Sequence, residues 1–208
     1  MEPAQLWAFV VFSLVGSFTP GPNTTIATVT GANFGFRAAV PHILGVPFGF
    51  STLLALGTLG IAGLLLSVPA AAGAVKWVGI VYLLYLAWML ARATPPSHGA
   101  PTSENAPAGR GARPLTFVQS ALFQFANPKA WMLAVATAGT YASRAHIAER
   151  TAVICLVFAA ACVVSLAVWA WAGAALRRCL GTDRRRQCFN AVMGGSLAAT
   201  AVWMAVAM

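Results

Sequence analysis

The chain has 208 residues, of which 59% are hydrophobic and only 8% charged, with a formal net charge of +9. Soluble domains carry roughly 25% charged residues, so a globule of this composition could not cover its own surface, and the chain belongs in lipid. The basic excess does not indicate a nucleic-acid partner, because the arginines sit in short clusters between apolar runs, as in membrane proteins.

The N-terminus, "MEPAQLW", has an acid and no basic stretch, so the first apolar run is expected to stay in the mature protein rather than be cleaved as a signal. A membrane-crossing helix needs about 20 mostly apolar residues. By that length the sequence predicts six spans, near 4–27, 38–66, 72–92, 115–141, 151–176 and 188–207. The second is longer than one crossing requires, and is expected to tilt or to begin outside the hydrocarbon. "SFTPGPNTT", residues 17–25, interrupts the first span with Pro20, Gly21 and Pro22. Residues 93–113 are rich in Pro, Gly and Ser, and read as a flexible cytoplasmic linker. On either side lie a first three-helix repeat, 1–92, and a second, 114–208, of one membrane domain. The fourth span contains "QFANPKA", residues 124–130, so each half opens with an apolar helix broken at proline. Three spans per half give the halves opposite topology. Inverted repeats with helices interrupted at corresponding positions point to a transporter's binding site.

The loops after spans one, three and five hold nine basic residues: Arg37; Arg92, Arg110 and Arg113; and Arg177, Arg178, Arg184, Arg185 and Arg186. The opposite side holds Lys76, Arg144 and Arg150. The positive-inside rule places the nine in the cytoplasm and both termini outside; five spans instead of six would separate the termini. Lys76, Trp77 and Tyr82 read as an interfacial anchor at the outer surface.

The breaks carry the candidate chemistry. Proline lacks the N–H that a helix needs and clashes with the preceding turn, so backbone groups around Pro20, Gly21 and Pro22 lose their helical partners. In hydrocarbon such groups persist only against protein or a water-filled cavity, where they can hold a polar solute. Asn23 and Thr24 add side-chain donors and acceptors at the same level, and Asn127, Pro128 and Lys129 form the second break. A lysine inside an apolar span costs at least about 2.5–3.5 kcal/mol, and no predicted span contains an acid to pair with it. A substrate carboxylate is one partner for Lys129; an interface or carbonyls freed by Pro128 is the structural alternative. Gly31, Gly35, Gly45 and Gly49 make two G-x-x-x-G spacings and are expected to be helix-packing positions. His42, beside Pro41, is a candidate for proton coupling. Cys155, Cys162, Cys179 and Cys188 form no C-x-x-C and have no histidine cluster near them, so neither a redox nor a metal site has its spacing.

Together, "FTPGPN" at 18–23, "GANFGFRAAV" at 31–40 with Gly45 and Gly49 beyond it, "KWVGIVYLLYL" at 76–86 and "NPKA" at 127–130 resemble the LysE/RhtB family of amino-acid exporters. The resemblance extends weakly to "FNAVMGGSLAATAVW" at 189–203. It implies a multi-pass protein of the bacterial cytoplasmic membrane that exports amino acids or close derivatives, driven by the proton-motive force. The chain departs from it in having Gly139-Thr140-Tyr141 where members often have Pro-Gln-Phe, and Ser165 where some carry an acid.

The expectation is therefore an all-α membrane protein of six helices exporting small zwitterionic metabolites by alternating access. It needs no cofactor, and its partners are an amino-acid-like solute and lipid; proton coupling and a homo-oligomer stay open. Two other readings remain: a membrane thiol–disulfide electron carrier, or a non-transporting scaffold. An enzyme is not expected, since no intramembrane nucleophile–base pair is visible.

Overall fold

Proline sets where four of the helices begin. Pro3, Pro22, Pro69 and Pro128 each occupy the first helical position, where the missing N–H costs nothing and the fixed φ suits the helix. The computed structural model describes residues 1–60, 67–92, 113–142 and 146–207. Arg110, Arg144 and all of the expected linker except Arg113 lie outside the described residues.

In chain order the helices are α1 (Pro3–Phe18), α2 (Pro22–Phe34), α3 (Phe36–Thr58), α4 (Pro69–Ala91), α5 (Phe117–Ala126), α6 (Pro128–Tyr141), α7 (Ile147–Leu176) and α8 (Asp183–Ala207). No strand occurs among the described residues. Thr116 and Gln119 start α5 with a reciprocal capping box, each side chain bonded to the other's backbone N–H.

Four helices, α3, α4, α7 and α8, are long and apolar enough to cross a membrane alone, and α1 with α2 makes a fifth candidate if that bent pair is one span. By length and composition the described helices thus give four or five crossings where the sequence predicts six. The difference lies at the breaks: α1 and α2 meet at 55°, and α5 has only 10 residues before Asn127.

Two boundaries also differ from the sequence reading. The loop expected after the first span is reduced to one residue, because α2 runs on to Phe34 and α3 starts at Phe36. Gly35 makes that junction at φ 89°, a conformation glycine adopts without a Cβ penalty. Arg37 thus lies in the first turn of α3. Helix α3 stops at Thr58, short of the expected end near 66; residues 61–66 are not described.

Apolar side chains cover the outside while polar ones are inside. Trp7, Val81, Leu156, Trp171 and Val206 are exposed, whereas Ser13, Asn33, His42, Ser120, Gln124, Asn127, Ser165 and Asn190 are buried. That distribution suits a surrounding of lipid, where each buried polar group must find an internal partner. Asn33 and Asn190 find each other, with Asn33 Nδ2 donating to Asn190 Oδ1 at 2.8 Å and the reverse bond at 3.4 Å.

Three apolar clusters tie the helices together. One joins α2, α4, α5 and α8 through Ile26, Leu83, Phe123 and Met204. A second joins α1, α3, α6 and α7 through Phe9, Phe50, Ala134 and Phe158. The third is built from Ala27, Ile43, Val46, Leu166 and Ala170 of α2, α3 and α7.

Glycine sets how closely the helices approach. Gly31 of α2 faces the Ala170 carbonyl and Gly173 of α7 faces Thr28. A Cβ at either would collide with backbone of the other helix. Gly45 and Gly49 place α3 in the same relation to Phe117 and Ala121 of α5. Backbones this near gain dispersion contacts along their length, the main source of helix association where lipid replaces water.

Candidate functional site

The helix that carries "FTPGPN" ends at Phe18, and Thr19–Gly21 cross to α2. Gly21 N donates to Thr24 Oγ1, and the same hydroxyl donates to Gly21 O, both at 2.9 Å. One threonine hydroxyl thus binds both backbone groups of Gly21, which leaves the buried Thr24 hydroxyl satisfied. At the second break Asn127 caps α6, its Oδ1 accepting from Lys129 N at 3.1 Å.

The two breaks meet. Lys129 extends from the first turn of α6 past Gly21, and Nζ donates to Thr19 O at 2.6 Å. Gly21 leaves room for this passage: a Cβ there would lie 3.3 Å from Lys129 Cδ and 3.4 Å from Nζ. Lys129 therefore rests on a carbonyl freed by the opposite break, and not on one freed by Pro128. A cation there is also favoured by the negative end of the α1 dipole.

Between the breaks lies a partly open cavity. Ser17, Gly21, Asn23, Gln124, Asn127 and Lys129 form its polar wall, while Phe50, Leu133, Cys162 and Leu166 are among its apolar residues. Asn23 and Gln124 bind each other across α2 and α5: Asn23 Nδ2 donates to Gln124 Oε1 at 2.9 Å and Gln124 Nε2 donates to Asn23 Oδ1 at 3.2 Å. Gln124 Nε2 also donates to Ser120 O at 2.9 Å. On the far side, Ser165 Oγ donates to Ser17 O at 2.8 Å, and Ser17 Oγ lies 3.6 Å from Cys162 Sγ. No group of three metal-ligating side chains occurs among the described residues.

The Asn23–Gln124 pair is expected to contribute measurably to stability. Asn23→Ala leaves the Gln124 carbonyl without its donor, at about 1–3 kcal/mol for an unmade buried hydrogen bond. The double variant with Gln124→Ala should lose less than the sum of the single losses, read by thermal unfolding in detergent. Strictly additive losses would show that the pair contributes nothing.

The family profile of the LysE type translocator matches residues 14–207. The chain belongs to that family. Among curated relatives it is 32% identical over 142 residues to proteins named "Cysteine/O-acetylserine efflux protein" from Escherichia coli (strain K12) and Shigella sonnei (strain Ss046). Each match covers 68% of this chain and 67% of the relative. No solved structure matches.

In this translocator Gly21, Pro22, Asn23, Thr24, Asn127 and Lys129 all line the cavity. Pro20 and Pro128 do not; Pro128 faces a separate apolar groove with Pro69 and Trp131. Gly31, Gly45 and Gly49 lie at helix contacts away from the cavity, and Gly35 lies at the α2–α3 junction. The sequence reading did not single out Ser17, Ser120, Gln124 or Cys162. Ser120 and Gln124 had a signal, being polar residues four apart in an apolar helix and hence on one face.

Proposed function

We propose that this LysE type translocator exports amino acids or closely related small zwitterionic metabolites across the cytoplasmic membrane by alternating access. The observation that carries the proposal is the Lys129–Thr19 contact, which joins the two helix breaks across a polar cavity. Lys129 has a backbone carbonyl there and no carboxylate. A solute carboxylate offers a stronger, charge-assisted partner and draws Lys129 from Thr19, releasing one break from the other. The Gly21–Thr24 turn and the Asn23–Gln124 amides then face the solute's remaining polar groups. The names of these relatives make cysteine and O-acetylserine the first solutes to test.

The topology proposed is six crossings, with α1–α2 as the first and α5–α6 as the fourth, in two inverted halves with both termini outside. Two features support it. The broken pair of each half packs on the first long helix of the other, α1 and α2 on α7, and α5 and α6 on α3. The basic residues divide nine to three between the two sides.

The test is overproduction of the chain in a bacterial host, followed by comparison of metabolites in the medium with an empty-vector strain. Extracellular cysteine, O-acetylserine or another amino-acid-like compound is expected to rise. No reproducible rise in any such compound removes export as the function.

A further inference from the structure

His42 is fully buried in α3, yet both ring nitrogens have polar partners. Nε2 lies 3.1 Å from the carbonyl oxygen of Asn23. That oxygen can only accept, so Nε2 carries a hydrogen in either charge state of the ring. Nδ1 lies 2.9 Å from Ser120 Oγ, a group that both donates and accepts. The neutral ring takes the serine hydrogen, and the protonated ring gives its own. Gaining a proton forms one N–H bond at the Nδ1 lone pair and turns the Ser120 hydroxyl around. Neither ring partner is lost, whereas an unpaired buried imidazolium would carry a large desolvation cost.

The ring belongs to a closed circuit. His42 bonds the Asn23 carbonyl, the Asn23 side chain bonds Gln124, Gln124 bonds the Ser120 carbonyl, and the Ser120 hydroxyl returns to His42. Asn23 is the second residue of α2, immediately after the break, and both Asn23 and Gln124 line the cavity. A change of charge on His42 therefore acts on the start of α2, across the break from the end of α1 that Lys129 binds at Thr19.

The ring's own partners, on α2 and α5, are uncharged. Of the other helices packed on α3, α6 carries Lys129 and Tyr141, and α7 carries Glu149, Arg150, Cys155 and Cys162. Arg37 is in the exposed first turn of α3 itself. Among the described residues none of these makes a hydrogen bond or ion pair with His42.

The geometry points to His42 as the proton-binding residue that couples transport to a pH gradient, its charge passing through Asn23 to the helix break. This inference rests on the export reading, and the test separates the two. Purified protein in liposomes is assayed first for exchange of labelled O-acetylserine or cysteine at equal pH, then for net uptake under an imposed pH gradient. The wild type is expected to exchange, and to be accelerated about tenfold by the gradient, the factor that corresponds to about 1.4 kcal/mol. His42→Gln, whose amide nitrogen reaches the Nε2 position and keeps a donor for the Asn23 carbonyl, is expected to retain exchange and lose the acceleration. If the wild type exchanges neither solute, export of these solutes fails independently of His42. If it exchanges but ignores the gradient, or if His42→Gln keeps the full acceleration, the coupling role is overturned. Loss of exchange itself in both His42→Asn and His42→Gln also overturns it, by making the residue structural.

Discussion

Replacing Lys129 with alanine is expected to reduce export at least about tenfold while the protein still reaches the membrane. A hydrogen bond to a charged group contributes about 1.5–3 kcal/mol, and about 1.4 kcal/mol corresponds to a tenfold change. The variant loses the bond to Thr19 O and, on the proposed mechanism, the partner of the solute carboxylate as well. Lys129→Arg should fall between wild type and Lys129→Ala. It keeps the charge, but its planar fork must pass Gly21, where the lysine chain already runs close to the backbone. Cells carrying each variant are compared for extracellular solute at matched membrane abundance. Export by Lys129→Ala at the wild-type rate would remove this residue from the site.

Gly31→Val is expected to have the largest effect on folding. A side chain at Gly31 meets the Ala170 carbonyl and the Ala174 amide, backbone atoms that cannot rotate away, so α2 and α7 must separate. Overpacking usually costs about 1–3 kcal/mol and more when only backbone can yield, so this substitution belongs at or above the upper end. Gly173→Val should behave alike, since Gly173 meets Thr28 across the same seam. Gly73→Ala and Gly139→Ala are the controls. Both glycines are helical with open space beside them, and alanine there should be neutral or stabilise by up to about 1 kcal/mol. Size-exclusion and thermal unfolding in detergent read all four. A Gly31→Val protein that purifies and melts like wild type would show that the seam is loose.

The two motifs that break the helices are legible in the sequence because proline acts locally. Pro22 and Pro128 each start a new helix directly after Gly21 and Asn127, whereas Pro41 and Pro47 stay inside α3, so it is proline together with its neighbours that locates the α1–α2 and α5–α6 junctions. The count of crossings is less legible. Hydropathy alone registers 115–141 as one apolar run, and it is the Asn127–Pro128 element within it that marks the break between α5 and α6. Gln124 and Ser120 are legible in the sequence only as two polar residues on one face of an apolar helix, and that pattern has no assigned role until their partners are known. Their partners, Asn23 and His42, lie 101 and 78 residues away.

From the sequence alone came the lipid environment, the all-helical character and the positions of both breaks. These follow from composition and from the covalent chemistry of proline, which act over a few residues. Tertiary structure alone decided that Lys129 binds Thr19, that Asn23 pairs with Gln124, and that His42 holds a carbonyl and a hydroxyl. It also distinguished Gly31, seated against another backbone, from Gly35, which turns the chain at φ 89°. Each of these depends on which helices lie side by side, and that is set by the summed packing of the whole bundle rather than by neighbours in the chain.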